Sequence, residues 1–252
     1  MPRTALLLFF LLFQFALAQQ SILDEVRETG ILRIGTTGDY KPFTFFKDGE
    51  YRGFGPDLAR MIAGELGVDV KMVRSDWTGL VGDLEGQRFH LAVGGVTRTL
   101  KRQTRAAFTD PVYLIGKCPL VRSGEAGKYD SLTKIDRPDV TVAVNPGGTN
   151  EAYVRKHLKR ARILVETDNL KIPELVAGGK ADVMLTDNVE ARLAGRRDPR
   201  LEAVSPDHPW TSESLGLMTR RDDQAFVNWL NLFLYQAEAD GRLQRLREKW
   251  GI

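Results

Sequence analysis

The sequence of 252 residues contains a single cysteine, Cys118. One cysteine can form neither an intramolecular disulfide nor a two-cysteine metal site, so the fold must be stabilised by packing. Cys118 lies in a short apolar stretch, which favours a small buried side chain over a reactive thiol. The three histidines lack metal-ligand spacing, and the sequence has neither a G-x-S-x-G nucleophile elbow nor a Walker-type phosphate loop. We therefore expect no metal, no organic cofactor and no triad hydrolase.

Charge of one sign is not concentrated anywhere along the chain, and the formal net charge is only +3. The basic residues are scattered among acidic ones and are not interleaved with aromatic residues. This distribution favours a solvated surface over a nucleic-acid interface. Internal repeats, low-complexity segments and long linkers are also missing from the sequence.

Only the N-terminus carries a long apolar run. Residues 1–18 contain Arg3, an apolar segment that extends to Phe13, and the small-x-small triplet at residues 16–18 before two glutamines. This pattern predicts a secretory signal peptide over residues 1–18, too short for a permanent membrane anchor. The alternative is an uncleaved amphipathic helix. We expect a periplasmic or otherwise exported protein that does not insert into the membrane once the signal peptide is removed.

Hydrophobic periods of two and of about 3.6 residues alternate along the rest of the chain. Strands are predicted at residues 32–37, 68–73, 90–96, 141–145, 163–165, 183–185 and 215–219. Helices are predicted at residues 22–28, before the first strand, at 57–66, and from about residue 223, after the last strand. Further helical segments lie between the other strands. The alternation predicts an α/β chain.

Two stretches are predicted to be boundaries between lobes. One lies at residues 113–117, and the other is the Pro-rich polar stretch at residues 205–214. Because a strand and a helix follow the second stretch, we expect the chain to return to its first lobe. The first lobe would comprise residues 19–114 and 212–252, and the second residues 115–211. Because the chain would cross between the lobes twice, we predict two hinged lobes that close on a ligand like a clamp.

The candidate ligand site comes from the ends of the predicted strands, because ligands of open α/β sheets bind beyond the carboxyl ends of the strands. The segments that follow five strands are polar, aromatic or glycine-rich: TTGDY, SDW, GGVT, NPGGT and TD. Tyr40 and Trp77, together with Phe43 and Phe54, are candidate walls for a flat ring ligand, although large aromatic residues are more often part of a core.

Several segments resemble a known family. ILRIGTTGDYKPF, LAVGGVTRTLKRQTRAAFTDPVY and ADVMLTD resemble the extracellular solute-binding proteins of the polar amino-acid class. Within that family, TTGDYKPF, NPGGTNE and TDNVEARL are much more similar to the cyclohexadienyl dehydratases, which are exported enzymes built on the binding-protein fold. The resemblance covers essentially the whole chain after the leader. It implies a type II periplasmic-binding-protein fold of family 3, with two α/β lobes and a hinged cleft.

One segment departs from the family pattern. Solute-binding relatives usually have Gly-Phe-Asp-x-Asp after the first hairpin, whereas this chain has Gly53-Phe54-Gly55-Pro56-Asp57. The first acidic residue is lost, and Pro56 is expected at the first position of the following helix.

Arg102 and Thr97 match the Thr-x-x-x-x-Arg element with which amino-acid-binding relatives hold a ligand carboxylate. The planar guanidinium group makes two parallel, charge-assisted hydrogen bonds to one carboxylate. The alternative for Arg102 is an ordinary surface charge on a helix, as we expect for Arg98, Lys101 and Arg105. The resemblance implies that Arg102 and Thr97 bind substrate.

The segment TVAVNPGGTNE at residues 141–151 predicts a strand that breaks at two glycines before a helix begins near Thr149. The free N–H groups at the helix N-terminus would face the cleft and bind an anionic group of the substrate. Gly147 and Gly148 allow close approach, and Thr149 is expected to cap the helix. An ordinary capped turn has the same features. The resemblance implies an amide hydrogen bond from Asn145.

Asp187 follows a predicted strand, at the position where amino-acid-binding relatives hold the α-ammonium group of the ligand. Its carboxylate fits an amino acid or an arogenate-like group better than a dianionic keto acid, and both prephenate and arogenate stay open as substrates. Lys117 lies at the predicted crossing between the lobes and is expected to contact a second carboxylate of the substrate.

Glu190 is the candidate catalytic residue. It lies three residues after Asp187, so both carboxylates would share one helix face beside the cleft. Crowding by Asp187 and burial would each raise the pKa of Glu190 and keep it protonated, ready to donate a proton to a leaving hydroxyl. The alternative is a surface glutamate that pairs with Arg192 or Arg196 on a helix.

The resemblance therefore implies an exported lyase of phenylalanine and aromatic amino-acid biosynthesis. Such a cyclohexadienyl dehydratase converts prephenate to phenylpyruvate, arogenate to phenylalanine, or both. The alternative is a non-catalytic binding protein that delivers an amino acid to the permease of an ABC transporter. Glu190 distinguishes the two, because a pure binder does not need a buried acid aimed at a ring hydroxyl.

Overall fold

The computed structural model describes residues 20–252. The signal peptide predicted at residues 1–18 lies outside the described residues. Among residues 20–252, no helix combines the length and the hydropathy needed to cross a bilayer.

Helices and short strands alternate along the chain, as the hydrophobic periods predict. The helices are α1 (Ile22–Thr29), α2 (Phe54–Leu66), α3 (Leu80–Glu85), α4 (Leu100–Gln103), α5 (Leu132–Ile135), α6 (Thr149–His157), α7 (Ile172–Ala177), α8 (Asn188–Arg197), α9 (Gln224–Ala239) and α10 (Arg242–Trp250). Two single turns of 3₁₀ helix lie at Ala126–Lys128 and Asn169–Lys171.

The strands are β1 (Ile31–Thr36), β2 (Asp39–Tyr40), β3 (Thr44–Lys47), β4 (Glu50–Arg52), β5 (Asp69–Arg74), β6 (Leu91–Ala92), β7 (Ala106–Phe108), β8 (Tyr113–Ile115), β9 (Lys117–Arg122), β10 (Thr141–Val144), β11 (Arg162–Val165), β12 (Val183–Asp187), β13 (Leu201–Ala203), β14 (Glu213–Leu215) and β15 (Met218–Arg220).

Two five-stranded sheets share one topology. The first has the strand order β5-β1-β6-β15-β7, and the second has the order β11-β10-β12-β9-β13. In each sheet the first three strands are parallel and the fourth is antiparallel to both of its neighbours. The parallel strands therefore direct their carboxyl ends towards one edge of each sheet, and the two edges face each other across a cleft.

The chain passes between the two lobes through a two-stranded ribbon. Strand β8 pairs with β14, with Glu213 opposite Ile115 and Leu215 opposite Tyr113. After β14 the chain returns to the first sheet as β15, so the first sheet contains strands from both ends of the sequence. The fold is the type II periplasmic-binding-protein fold, with two α/β lobes.

Asp223 links the two segments of the chain that form the first lobe, at the starts of α1 and α9. This buried carboxylate accepts hydrogen bonds from the Ile22 N–H at 2.6 Å and the Ser21 hydroxyl at 2.9 Å, at the start of α1. It also caps α9 by accepting from the Phe226 N–H at 3.0 Å. One side chain thus satisfies the free N–H groups of two helices that lie about 200 residues apart in the chain.

Each lobe has its own apolar core. Ile34, Leu58 and Phe226 are fully buried in the first, where α2 and α9 cover the sheet. Val142 and Val183 are fully buried in the second. Cys118 is also fully buried on β9, and burial raises the pKa of its thiol to about 12, as expected of a small packed side chain.

Two strand predictions were wrong in extent. The strand predicted at residues 215–219 is divided between β14 and β15, because the Gly216 N–H bonds to the Val96 carbonyl where the chain changes partners. The strand predicted at residues 90–96 is reduced to Leu91–Ala92, because Gly94 and Gly95 adopt positive φ values of 99° and 91°. Those glycines turn the backbone towards the cleft.

Helix α2 begins at Phe54, three residues before the predicted start at residue 57, so Pro56 is its third residue and not its first. The structure also explains why no acidic residue follows Phe54. A Cβ atom on Gly55 would lie 2.5 Å from the backbone nitrogen of Gly94, closer than any side chain tolerates. Glycine is therefore required where α2 packs against the turn after β6.

We expect Gly55→Ala to lower the free energy of unfolding by about 1–3 kcal/mol, because the added methyl group would overlap the Gly94 backbone. Gly64→Ala is the matched control, on the exposed face of the same helix, where an added Cβ meets no atom within 4 Å. This control should raise stability by about 1 kcal/mol. Urea-induced unfolding measures both, and equal stabilities would contradict the close contact.

Candidate active site

The facing strand ends enclose a small cavity of about 20 Å³ between the lobes. It is lined by Tyr40, Trp77, Gly95, Thr97, Arg102, Asn145, Gly148, Thr149, Asn150, Asn169 and Asp187. Eight of the nine predicted substrate-binding residues are in this lining, and the ninth, Lys117, is bonded to two of them. The lobes are closed on one another, so a ligand of any size requires them to separate.

A buried network centred on Asp187 joins the two lobes. The Lys117 ammonium nitrogen lies 2.6 Å from one carboxylate oxygen of Asp187 and 3.0 Å from the Thr149 hydroxyl. The Tyr40 hydroxyl, from the first lobe, donates to the other oxygen of Asp187 at 2.5 Å. Burial and the negative charge of Asp187 raise the pKa of Tyr40, which keeps this hydroxyl a donor. The carboxylate is thus already paired with an ammonium group that the protein itself supplies.

Arg102 is held above the cleft by short-range contacts within the first lobe. The Thr99 side chain caps α4 by accepting from the Arg102 N–H at 3.1 Å, and the Arg102 guanidinium donates to the Thr97 carbonyl at 2.9 Å. Burial lowers the pKa of Arg102. The Thr97 hydroxyl lies 3.3 Å from the Thr149 hydroxyl of the second lobe, so the two predicted binding elements meet across the cleft.

The segment after β10 differs from the prediction in one respect. Thr149 does not cap α6: the N-cap is Gly148, which has no side chain, and Thr149 is the first helical residue. Its hydroxyl instead bonds across the cleft and to Lys117. Gly147 has a φ of 80°, and a Cβ there would lie 2.6 Å from the Thr78 backbone nitrogen of the first lobe. Gly147 therefore permits close contact between the lobes, and Gly148 places the N-terminus of α6 at the cavity.

Glu190 lies in the first turn of α8 and is only 5% exposed. One of its carboxyl oxygens accepts from the Asn169 amide at 2.8 Å, and the other accepts from the Thr186 hydroxyl. The Asn150 amide donates to the same Thr186 hydroxyl at 3.1 Å. Burial is the largest influence and raises the pKa of Glu190 to about 8, and the nearby negative charge of Asp187 acts in the same direction. A pKa raised to this extent favours the protonated carboxyl group at neutral pH.

Glu190 itself does not line the small cavity between the lobes. It borders a second cavity of about 170 Å³ on the far side, and Asn169 lines both cavities. The predicted partners Arg192 and Arg196 do not bond to it. The carboxyl group is therefore one hydrogen bond away from the cleft lining.

The predicted aromatic walls divide into two groups. Tyr40 and Trp77 line the cavity and pack edge to face with ring centroids 6.0 Å apart. The Trp77 indole nitrogen also donates to Asp39 at 3.0 Å. Phe43 and Phe54 pack against each other in the core of the first lobe, with ring centroids 6.3 Å apart, and do not line the cavity.

Three residues of the site were not identified in the sequence: Asn150, Asn169 and Thr186. Asn169 follows β11, which is a parallel strand like the others, so the same strand-end rule would have found it. Asn150 is one residue beyond the segment NPGGT. Thr186 was read as part of a strand end, but its bond to Glu190 depends on tertiary structure.

Comparison with known proteins agrees with this geometry. Residues 32–252 match the family of bacterial extracellular solute-binding proteins, family 3. The chain is 43% identical over 235 residues to a cyclohexadienyl dehydratase of Pseudomonas aeruginosa, which covers 92% of this chain and 87% of the relative.

Two solved structures of ancestral proteins are also similar. One is an amino-acid-binding protein described as a precursor of cyclohexadienyl dehydratase, with 38% identity and a TM-score of 0.83 over 92% of this chain and 99% of that chain. The other is an ancestral cyclohexadienyl dehydratase, with 49% identity and a TM-score of 0.58 over 92% of this chain and 96% of that chain. From the family match and these similarities, the chain belongs to family 3 of the bacterial extracellular solute-binding proteins.

Proposed function

We propose that this protein is a cyclohexadienyl dehydratase, a carbon–oxygen lyase that acts on prephenate, arogenate or both. The observation that carries the proposal is Glu190, a buried carboxyl group with a raised pKa directly behind the binding cleft. The 43% identity to a dehydratase over nearly the whole chain supports the same activity.

The reaction needs one proton and no redox partner. Glu190 donates its proton to the ring hydroxyl as the C–O bond breaks, and the oxygen leaves as water. The C–C bond to the ring carboxylate breaks at the same time, and its electron pair completes the aromatic ring while carbon dioxide leaves. Glu190 then regains a proton from solvent. The products are phenylpyruvate from prephenate and phenylalanine from arogenate.

The remaining residues bind and orient the substrate. Arg102 and Thr97 hold the side-chain carboxylate, and the N-terminus of α6, with Gly148, Thr149 and Asn145, takes a second anionic group. Tyr40 and Trp77, which pack edge to face, form one aromatic wall beside the ring. Closure of the lobes removes water from this site, which strengthens each of these electrostatic contacts.

A pure amino-acid-binding protein is the second candidate, favoured by the high structural similarity to an ancestral amino-acid binder. Such a protein needs Asp187 free to bind the α-ammonium group of its ligand. Here the buried Lys117 already forms an ion pair with Asp187. Together with the protonated Glu190, this pairing supports the dehydratase over a transport role that would involve a permease.

We also propose the export and lobe boundaries expected from the sequence. The family is extracellular, which supports a cleaved signal peptide at residues 1–18 and a periplasmic location. The ribbon of β8 and β14 supports a first lobe of residues 19–114 and 212–252 and a second lobe of residues 115–211. Hinge motion at this ribbon would open the cleft.

Glu190→Gln should lower kcat for prephenate by roughly 10²- to 10⁴-fold, the usual contribution of a general acid, while substrate still binds. Phenylpyruvate formation is measured by ultraviolet absorbance. Glu28→Gln is the matched control on an exposed helix face and should leave kcat unchanged. Equal losses of binding and turnover in Glu190→Gln would remove the residue from the role of acid.

The pH dependence of kcat/KM should follow the protonation of Glu190. The acid acts in its protonated form, so activity is retained below its pKa and falls above about pH 8. The residual activity of Glu190→Gln should lack this fall. An increase in kcat/KM of the unmodified protein between about pH 7 and about pH 9 would mean that Glu190 acts as a base or not at all.

Arg102→Ala should raise KM roughly 10- to 100-fold, because the variant loses a charge-assisted contact with the substrate carboxylate. Lys101→Ala is the matched control, since Lys101 is the exposed neighbour on the same short helix. Initial rates over a range of prephenate concentrations separate KM from kcat. Unchanged affinity in Arg102→Ala would place the carboxylate elsewhere.

A further inference from the structure

Asn169 connects the two lobes and the Glu190 carboxyl group. Its side chain is 2% exposed and lies in the turn of 3₁₀ helix after β11, in the second lobe. The amide nitrogen donates to the Asp39 carbonyl of the first lobe at 3.0 Å and to Glu190 at 2.8 Å. The Asp168 carboxylate accepts from the Leu170 N–H at 3.1 Å, which holds the turn in shape.

The orientation of the Asn169 amide is fixed by these partners. A backbone carbonyl can only accept a hydrogen bond, so the NH₂ group must face Asp39, and both of its hydrogens are then used. The amide oxygen therefore points away from Asp39 and Glu190. This oxygen is buried and has no hydrogen-bond partner, although Asn169 lines the cavity between the lobes.

A buried acceptor without a partner is costly, and Asn169 borders the cleft, so a hydrogen-bond donor on the ligand is a suitable partner for this oxygen. The ring hydroxyl of the substrate is such a donor, and it is the group that must also approach Glu190. One hydrogen bond to Asn169 would leave a lone pair of the hydroxyl oxygen free to take the proton of Glu190.

We propose that Asn169 is a positioning residue that accepts a hydrogen bond from the leaving hydroxyl and, only in the closed cleft, holds the Glu190 carboxyl group in place beside it. The inference rests on the proposed dehydratase activity and adds a residue to it. In the step itself, the hydroxyl hydrogen stays on the departing water. The transferred proton comes from Glu190.

The bond to Asp39 makes the position of the Asn169 amide depend on closure of the cleft. Asp39 belongs to the first lobe, whereas Asn169 and Glu190 belong to the second, so separation of the lobes breaks the bond to the Asp39 carbonyl. The amide is then free to rotate away from Glu190. Catalytic geometry is thereby restricted to the state in which the substrate is enclosed.

The charged groups around Glu190 come from several elements. Asp187 at the start of α8 and Asp39 on β2 place negative charge near it. Lys41 and Arg197 line the second cavity with it. The Asn169 amide lowers the pKa of Glu190 against these carboxylates and burial, so loss of the amide donor should raise that pKa.

Asn169→Leu, which keeps the approximate volume and removes all hydrogen bonding, tests the proposal. We expect kcat for prephenate to fall roughly 10- to 100-fold, by a larger factor than any increase in KM, because a transition-state contact is lost. The fall of kcat with pH should also move to higher pH. Asn228→Leu, an exposed asparagine on α9, is the matched control and should change neither quantity.

Asn169→Asp separates the two roles, since it keeps the acceptor oxygen but removes the amide donor. Binding is measured by calorimetry with two cyclohexyl 2-oxo acids, one of which carries a ring hydroxyl. The original protein and Asn169→Asp should bind the hydroxylated compound more tightly, by roughly three- to tenfold for one hydrogen bond. Asn169→Leu should bind the two compounds equally.

The outcomes distinguish this proposal from the proposed function. An unmodified protein that forms no phenylpyruvate overturns the dehydratase, and the role of Asn169 with it. An active protein in which Asn169→Leu keeps the kcat, the pH profile and the hydroxyl preference overturns the role of Asn169 alone. A loss of kcat without any shift in pH profile or hydroxyl preference would reduce Asn169 to a structural residue.

Discussion

The site depends on where the protein places the ammonium group of Lys117, the one buried lysine among residues 20–252. Asp187 and Glu190 are three residues apart and both are buried, yet Lys117 pairs with Asp187, whereas Glu190 is bonded by a neutral hydroxyl and a neutral amide. Burial without a bonded cation favours the protonated carboxyl, and burial with a bonded cation favours the carboxylate. Two chemically similar side chains are thereby held in different surroundings, and in the proposed function they act as an acid and a structural anion.

This division also explains why closure matters. Asp39 and Lys41 belong to the first lobe and lie near Glu190, whereas Asp187 belongs to the second, so the charges around Glu190 are complete only when the lobes meet. Opening exposes the carboxylates to water, which weakens their influence on Glu190. In the proposed dehydratase, the hinge motion that admits the substrate therefore also sets the environment of the acid. A two-lobed binding protein thus couples closure to the surroundings of Glu190 without an additional structural element.

The sequence predicted the fold well because its main signals are local. Hydrophobic period and strand-end residues located both sheets and seven of the predicted substrate-binding residues in the cavity lining, and the family resemblance added Arg102. The errors have tertiary causes: Gly94 and Gly95 end β6 because the backbone turns towards the cleft, and Thr149 does not cap α6 because its hydroxyl bonds to Lys117. The strand-end rule reaches Asn169 after β11, but its bonds to partners 130 and 21 residues away in the chain depend on tertiary structure and could not be predicted from the sequence.

A clamp that binds an amino acid and a clamp that dehydrates a cyclohexadienol share most of their parts. Both need a guanidinium for a carboxylate, a helix N-terminus and two lobes that close. Two features of the second lobe bear on this distinction: Lys117 forms an ion pair with Asp187, and Glu190 is buried among neutral donors. In the proposed dehydratase, the first feature supplies Asp187 with an ammonium group from the protein itself, and the second supplies a proton to the substrate. Because both features lie within the clamp, catalysis on this fold requires suitable electrostatics at a few positions and no new architecture.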